Sequence, residues 1–223
     1  MVLDALPEGI SSRYKPVWLW EDAMSLRSRG PHHDTESMAR AVAHPTSETF
    51  DPAVEDFQGS TRQIVELTLR IARSMGMREE EVNNVRLGAF LHDIGMAGIP
   101  DDVLFKAGPL SKREREIVQQ HPAYGYELLS RTPAFAAAVD IPYCHHERWD
   151  GTGYPRGLKG EEIPLAARIF AVVDVWFALR SDRPYRPAWT AEDAHVYIMQ
   201  RTGRDFDPAV VEVFTRLQPP PEL

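Results

Sequence analysis

Ile169-Phe-Ala-Val-Val-Asp174-Val-Trp-Phe-Ala-Leu179 is an apolar run broken by one carboxylate at its centre. It reads as a helix buried on most sides, opened by Glu161 or Pro164. A carboxylate facing a core costs free energy unless a partner or ligand takes it up. Candidate companions recur upstream in similarly apolar settings: His92-Asp93 after Ala89-Phe90-Leu91, then His121, then His145-His146 after Ile141-Pro142-Tyr143-Cys144. The gaps between these groups are about 24 to 29 residues, the length of one helix plus its connection. Each group can therefore come from a different wall of one helical bundle and share a centre with the others. Imidazoles and carboxylates in that pattern can hold more than one metal ion, which points to hydrolysis.

Helical patterning continues on both sides of these groups. From Pro52 to Met75 the apolar positions Val54, Phe57, Ile64, Val65, Leu67, Leu69, Ile71 and Ala72 recur at helical spacing, with Gly76 placed to end the helix. Glu79 to Ile94 repeats the theme, and the chain turns around Gly95 before a short helix at Asp101 to Phe105. Ser111-Lys-Arg-Glu114 reads as a capping box, and Pro122 suggests a kink or a new helix start beside His121, with helix resuming through Leu129. Pro133 to His146 reads as helix, and the glycine- and proline-rich stretch from Trp149 to Pro164 as a loop. Thr190 to Asp193 and Asp207-Pro208 resemble two further helix starts. No strand pattern or internal repeat stands out, so the expected fold class is all-α, a multi-helix bundle. Residues 1–50 are expected to form a short helical extension containing Trp18, Leu19, Trp20 and Met24, with Thr35 to Ala43 as a second short helix. Residues 51–218 form the main domain, and 219–223 a mobile tail.

The chain of 223 residues is long enough to bury a full core. Its formal net charge of −8 argues against electrostatic binding to a nucleic-acid polymer, so an anionic substrate must be met locally. The single cysteine, Cys144, excludes an internal disulfide and fits a reducing compartment. A hard oxygen and nitrogen ligand set leaves no need for its sulfur, so Cys144 is read as a small core residue. No basic leader precedes an apolar stretch and no apolar run approaches membrane-spanning length, so a cytoplasmic location is expected.

Several blocks in this order carry a family resemblance: His92-Asp93-Ile-Gly, Gly98-Ile-Pro-Asp101, His145-His-Glu-Arg-Trp-Asp-Gly-Thr-Gly-Tyr-Pro155, Arg156-Gly-Leu-Lys-Gly160 and Ser181-Asp-Arg-Pro-Tyr-Arg186. Over about residues 52 to 217 the chain resembles the HD-GYP branch of the HD phosphohydrolases. The resemblance implies hydrolysis of cyclic di-GMP to pGpG or GMP by water activated at two, or with Glu55 three, divalent cations, iron or manganese. It makes His92, Asp93 and Asp174 ligands of one cation, with Asp93 bridging to a second held by His121, His145 and His146. Asp93 is thus the expected catalytic residue. Gly151, Gly153, Tyr154 and Pro155 would shape the substrate pocket, and Arg183 and Arg186 would grip phosphate through their planar forks of donors.

Three positions depart from the family pattern. Gly59 stands where a histidine ligand is usual, Met96 where a lysine is usual, and Phe177 where a further aspartate is usual. These departures leave two alternatives beside the phosphodiesterase. One is a degenerate domain that binds cyclic di-GMP or a protein partner without turnover, and the other is a phosphohydrolase acting on a different nucleotide. Trp18 and Trp20 offer a surface for a second copy or a signalling partner, against the simpler reading that they pack onto the bundle.

Overall fold

The computed structural model describes residues 60–182 and 186–218, and within them the fold is built from helices and turns with no β-strand. In chain order these are α1 (Ser60–Ser74), α2 (Glu79–Phe90), α3 (Asp101–Leu104), α4 (Lys112–Val118), α5 (His121–Ser130), α6 (Asp140–Cys144), α7 (Leu165–Arg180), α8 (Ala191–Gln200) and α9 (Pro208–Leu217). Two 3-10 turns, Ile94–Gly98 and Gly160–Glu162, complete the set. The expected helical extension over residues 1–50, the position of Gly59 and the tail lie outside the described residues.

The run that opened the sequence reading is α7, and it is the hub of the bundle: α1, α6, α8 and α9 all pack against it. Twelve of its sixteen residues are buried, Asp174 among them. Phe170, Ile169, Val172 and Val173 are fully enclosed in a core shared with Ile71 and Ala72 of α1, Val82 and Ala89 of α2, Ile198 of α8 and Phe214 of α9. Burying side chains of this size contributes roughly 1.5 to 3 kcal/mol each, so this shared core fixes the positions of the helix ends that carry the polar groups. Arg62, Glu66, Arg70 and Arg73 of α1 face outward, leaving one apolar stripe to pack. Gly76, at φ +81°, turns the chain back after α1 as its position predicted.

The caps follow their sequence signals. The Ser111 hydroxyl accepts the Glu114 amide at 3.3 Å, and the Glu114 carboxylate accepts the Ser111 amide at 2.6 Å. Thr190 accepts the Asp193 amide at 3.0 Å and opens α8, while Asp207 accepts the Ala209 amide at 2.8 Å and opens α9.

Two expectations are corrected. The helix read over Glu79 to Ile94 stops at Phe90, because three-residue bonds take over: the Ile94 amide donates to Leu91 at 3.0 Å and Met96 to Asp93 at 2.8 Å. The helix read over Pro133 to His146 shrinks to α6, since the amides of Thr132, Phe135 and Ala138 each donate three residues back, to Leu129, Thr132 and Phe135. The Phe135 side chain explains this local tightening: it is buried between Leu91 and Leu129, which holds the segment close to α5. No helix among the described residues is long and apolar enough to cross a membrane.

Candidate metal centre

Every polar group of the set sits at or beside a helix end, except Asp174 in the middle of α7. His92 and Asp93 lie in the tight turn after α2, His121 is the first residue of α5, and His145-His146 follow α6 directly. Pro122 makes that placement of His121 possible, because a proline fits the first turn of a helix but would break α4 if α4 continued through it.

One ligand atom each from Asp93, His121, His145 and His146 falls within 4.8 Å of the others. Asp93 is the hub: its Oδ1 lies 3.2 Å from His121 Nε2 and 3.6 Å from His145 Nε2, and its Oδ2 lies 3.4 Å from His92 Nε2. All five side chains are buried.

The imidazole tautomers follow from the backbone. His92 Nδ1 meets the Ala89 carbonyl at 2.9 Å, His121 Nδ1 the Val118 carbonyl at 2.8 Å, and His145 Nδ1 the Ile141 carbonyl at 2.9 Å. A carbonyl only accepts, so each Nδ1 carries a proton, and the neutral rings of His121 and His145 present a lone pair at Nε2. His121 Nε2 and His145 Nε2 then face each other at 3.4 Å with neither able to donate. Both Asp93 oxygens and His146 Nδ1 are buried with no hydrogen-bond partner. Buried lone pairs converging without a donor are costly, and a cation is the group that relieves all of them at once. The residues present therefore fit a metal ion.

The electrostatics agree in direction. Burial disfavours charge on His92, yet the neighbouring Asp93 carboxylate, and behind it Asp174, outweigh burial and raise the imidazole to about 9. Burial pushes against ionisation of Asp93 as well, but His92, His121 and His145 together hold it well below the usual carboxylate range. His145 and His146 are lowered by burial and then by their neighbours: His121 and His92 for His145, and His145 for His146. Asp174 is raised by burial, and it lies outside the four-atom group while within the electrostatic reach of His92, His145 and Asp93.

Phe170 of α7 packs on His92 at 4.8 Å and on His145 at 6.0 Å between ring centroids, sealing the inner side. On the outer side the loop after His146 folds back, and the Tyr154 ring stacks on His146 at 4.8 Å and 29°. Gly151 has φ +85°, and Pro155 follows a cis bond. Arg186 donates to the Ala178 and Leu179 carbonyls at 3.3 and 3.2 Å, closing the end of α7, and lies over Trp189 at 5.3 Å. Glu55, Gly59 and Arg183 lie outside the described residues. Met96 is buried in a separate apolar cluster with Ile99, Val103, Leu104 and Leu110, and Phe177 packs against the main core, so both departures serve packing.

Sequence reasoning missed Phe170 as a wall of the site, because in the buried run of α7 nothing distinguishes it from its neighbours. It also passed over Glu147, which is 2% exposed and accepts the amides of Arg156 at 2.7 Å and Leu158 at 3.1 Å. The available signal was a charged residue wedged between a histidine pair and a glycine-rich loop.

The HD domain family matches residues 47–210. The cyclic di-GMP phosphodiesterase response regulator RpfG of Xanthomonas campestris pv. campestris is 45% identical over 170 residues, covering 74% of this chain and 45% of that protein. A cyclic di-GMP phosphodiesterase of Thermotoga maritima is 44% identical over 160 residues, covering 71% of this chain and 44% of that protein. The chain thus spans under half the length of these curated relatives. Among solved structures, a cyclic GMP-AMP specific phosphodiesterase of Vibrio cholerae superposes with a TM-score of 0.55 at 24% identity, over 73% of this chain and 44% of that one, and shares the fold.

Proposed function

Since this chain belongs to the HD domain family, in its HD-GYP branch, we propose that it is a metal-dependent phosphodiesterase that hydrolyses cyclic di-GMP to pGpG or GMP. The observation that carries the reading is the convergence of Asp93, His121, His145 and His146 within 4.8 Å, with the Nε2 lone pairs of His121 and His145 unanswered by any donor. In this reading His92, Asp93 and Asp174 would hold one divalent cation, and Asp93, His121, His145 and His146 a second; the donor set suits iron, manganese or zinc, and the family resemblance favours iron or manganese. Glu55 would serve a third. When bound, the cations supply Lewis acidity, which polarises the phosphate ester and makes water nucleophilic at neutral pH.

The chain's own residues do the rest. The Ala89, Val118 and Ile141 carbonyls fix the direction in which three imidazoles point, so little reorganisation is left for the reaction. Phe170 excludes water behind His92 and His145. Gly151, Gly153, Tyr154 and Pro155 form the substrate-facing loop, and Arg183 and Arg186 take phosphate oxygens, Arg186 from its perch on Trp189 at the end of α7. Residues 1–50 act as an extension to the catalytic domain of 51–218, a surface for a second copy or signalling partner.

The test is anaerobic purification with iron or manganese, followed by analysis of products from cyclic di-GMP and from cyclic GMP-AMP. Release of pGpG or GMP that disappears in His121→Ala supports the reading. An inactive metal-loaded protein that still binds the nucleotide tightly replaces it with a binding module.

A further inference from the structure

We propose that Glu147 is a positioning residue: its carboxylate buckles the glycine-rich loop down over the metal-holding cluster and so sets Tyr154 for substrate. This rests on the phosphodiesterase reading of the site, which it deepens.

Glu147 follows His146 directly, yet it takes no place in the four-atom group. It is 2% exposed, and each of its oxygens is spoken for by a backbone amide further along the loop, Arg156 at 2.7 Å and Leu158 at 3.1 Å. A carboxylate accepting two amides is strongly held, because both bonds are charge-assisted. Only a residue with two acceptor oxygens answers both amides. A glutamine would turn its NH2 donors against one of them.

Those two bonds act with a third tie from the neighbouring residue: the Tyr154 amide donates to the His146 carbonyl at 3.2 Å. The result is that residues 154, 156 and 158 are all pinned to residues 146 and 147. The fit between the two limbs is close. A Cβ at Gly153 would lie 2.3 Å from the Arg148 amide nitrogen and 2.5 Å from the Glu147 Cα, distances that backbone atoms cannot tolerate. The outgoing limb is anchored independently, since Trp149 and Asp150 donate to the carbonyls of Asp205 and Arg204 at 3.2 and 2.9 Å. Losing the Glu147 acceptors therefore removes two ties between the Tyr154–His146 and Gly160–Trp149 backbone bonds and loosens the returning limb that sets Tyr154 over His146, while His92, His121 and His145 keep their own backbone partners.

Two variants of the full chain test this: Glu147→Gln, which keeps size and shape, and Gly153→Ala, which keeps the carboxylate's chemistry but pushes the limbs apart at the Glu147 and Arg148 backbone. Hydrogen exchange is followed for the segment 154–160 and for α7, together with manganese content per chain and turnover of cyclic di-GMP. The expected result is exchange at Arg156 and Leu158 about tenfold faster or more in Glu147→Gln, with α7 protection and manganese content unchanged. KM should rise about tenfold while kcat stays within about threefold, and Gly153→Ala should reproduce the split. Unchanged exchange at Arg156 and Leu158 would overturn the proposal. So would loss of manganese with the loop still protected, which would make Glu147 a support of His146, or loss of protection along the whole chain in both variants. If the parent protein hydrolyses no cyclic dinucleotide, the phosphodiesterase reading falls, and the exchange and manganese measurements still decide whether Glu147 holds the loop.

Discussion

Gly95→Ala should damage the metal centre through the backbone alone. Gly95 lies in the 3-10 turn two residues after Asp93, and a Cβ there would meet the His121 carbonyl oxygen at 1.9 Å, its carbon at 2.9 Å and the Gly125 amide at 2.5 Å. Ordinary contact begins near 3.4 Å, so the first turn of α5 must retreat by about 1.5 Å. His121 is the first residue of that turn, and its Nε2 now lies 3.2 Å from Asp93 Oδ1. Metal-ligand distances tolerate roughly 0.2 Å, so the retreat is several times what the centre can absorb. Manganese affinity should fall by at least the 10 to 100-fold seen when ligands lose their support, and overpacking should cost about 1 to 3 kcal/mol of stability. The control is Gly125→Ala across the same contact, where the new Cβ would lie 3.5 Å from the Gly95 amide nitrogen and from Ile94. That is an ordinary distance, and inside a helix alanine is favoured by up to about 1 kcal/mol. Thermal unfolding and manganese content after dialysis measure both. A Gly95→Ala protein with parental melting temperature and manganese content refutes the reasoning, as does a Gly125→Ala protein harmed equally.

Three other outcomes are expected. With His92 raised to about 9 when no cation is present, its Nε2 is protonated at neutral pH and must be freed for a metal, so manganese binding should release about one proton at pH 7 to 8 and fewer as pH passes 9. Calorimetry in buffers of different ionisation enthalpy reads this, and a heat independent of buffer would contradict it. Burial, reinforced by Glu147 and Asp140, pushes the Cys144 thiol up to about 12, so at pH 8 only about one thiol in ten thousand is ionised; alkylation should be negligible until the protein is unfolded. Arg168→Met should remove about 3 kcal/mol, or roughly 6 to 12 °C of melting temperature, because Arg168 Nη1 meets the 3%-exposed Asp207 side chain at 2.7 Å. Adding Asp207→Asn should restore part of the loss, since asparagine can still cap α9 without a buried charge.

The convergence of Asp93, His121, His145 and His146 was legible because imidazole and carboxylate in apolar surroundings are anomalies in any sequence, and their spacing matched helices. Helix starts were legible for the same local reason: Ser111, Thr190, Asp207 and the Pro122 restart each announce themselves within four residues. What escaped was set by contacts distant in sequence. The end of α2 at Phe90 depends on Gly95 reaching the α5 backbone, and the tight turns before α6 depend on Phe135 meeting Leu91. Glu147 belongs to the same class, since its partners are amides nine and eleven residues away that carry no side-chain signature.

The histidines share a construction that ties ligand geometry to helix termination. A helix leaves its last carbonyls without partners. Here Ala89 near the end of α2, Val118 at the end of α4 and Ile141 in α6 each give a carbonyl to an imidazole Nδ1 three or four residues on. The His92 and His121 imidazoles thereby each satisfy a helix end, while the Ile141 carbonyl also accepts the His145 amide at 3.0 Å; in all three the bond turns Nε2 toward Asp93. The two roles cannot be separated. Flipping the His121 ring to relieve the lone pairs facing each other would take the donor from the Val118 carbonyl, at a cost of about 1 to 3 kcal/mol. Only a proton or a metal ion can then settle the cluster. The raised affinity of His92 for a proton and the fit of the set to a cation are thus two consequences of one arrangement, fixed by where three helices stop.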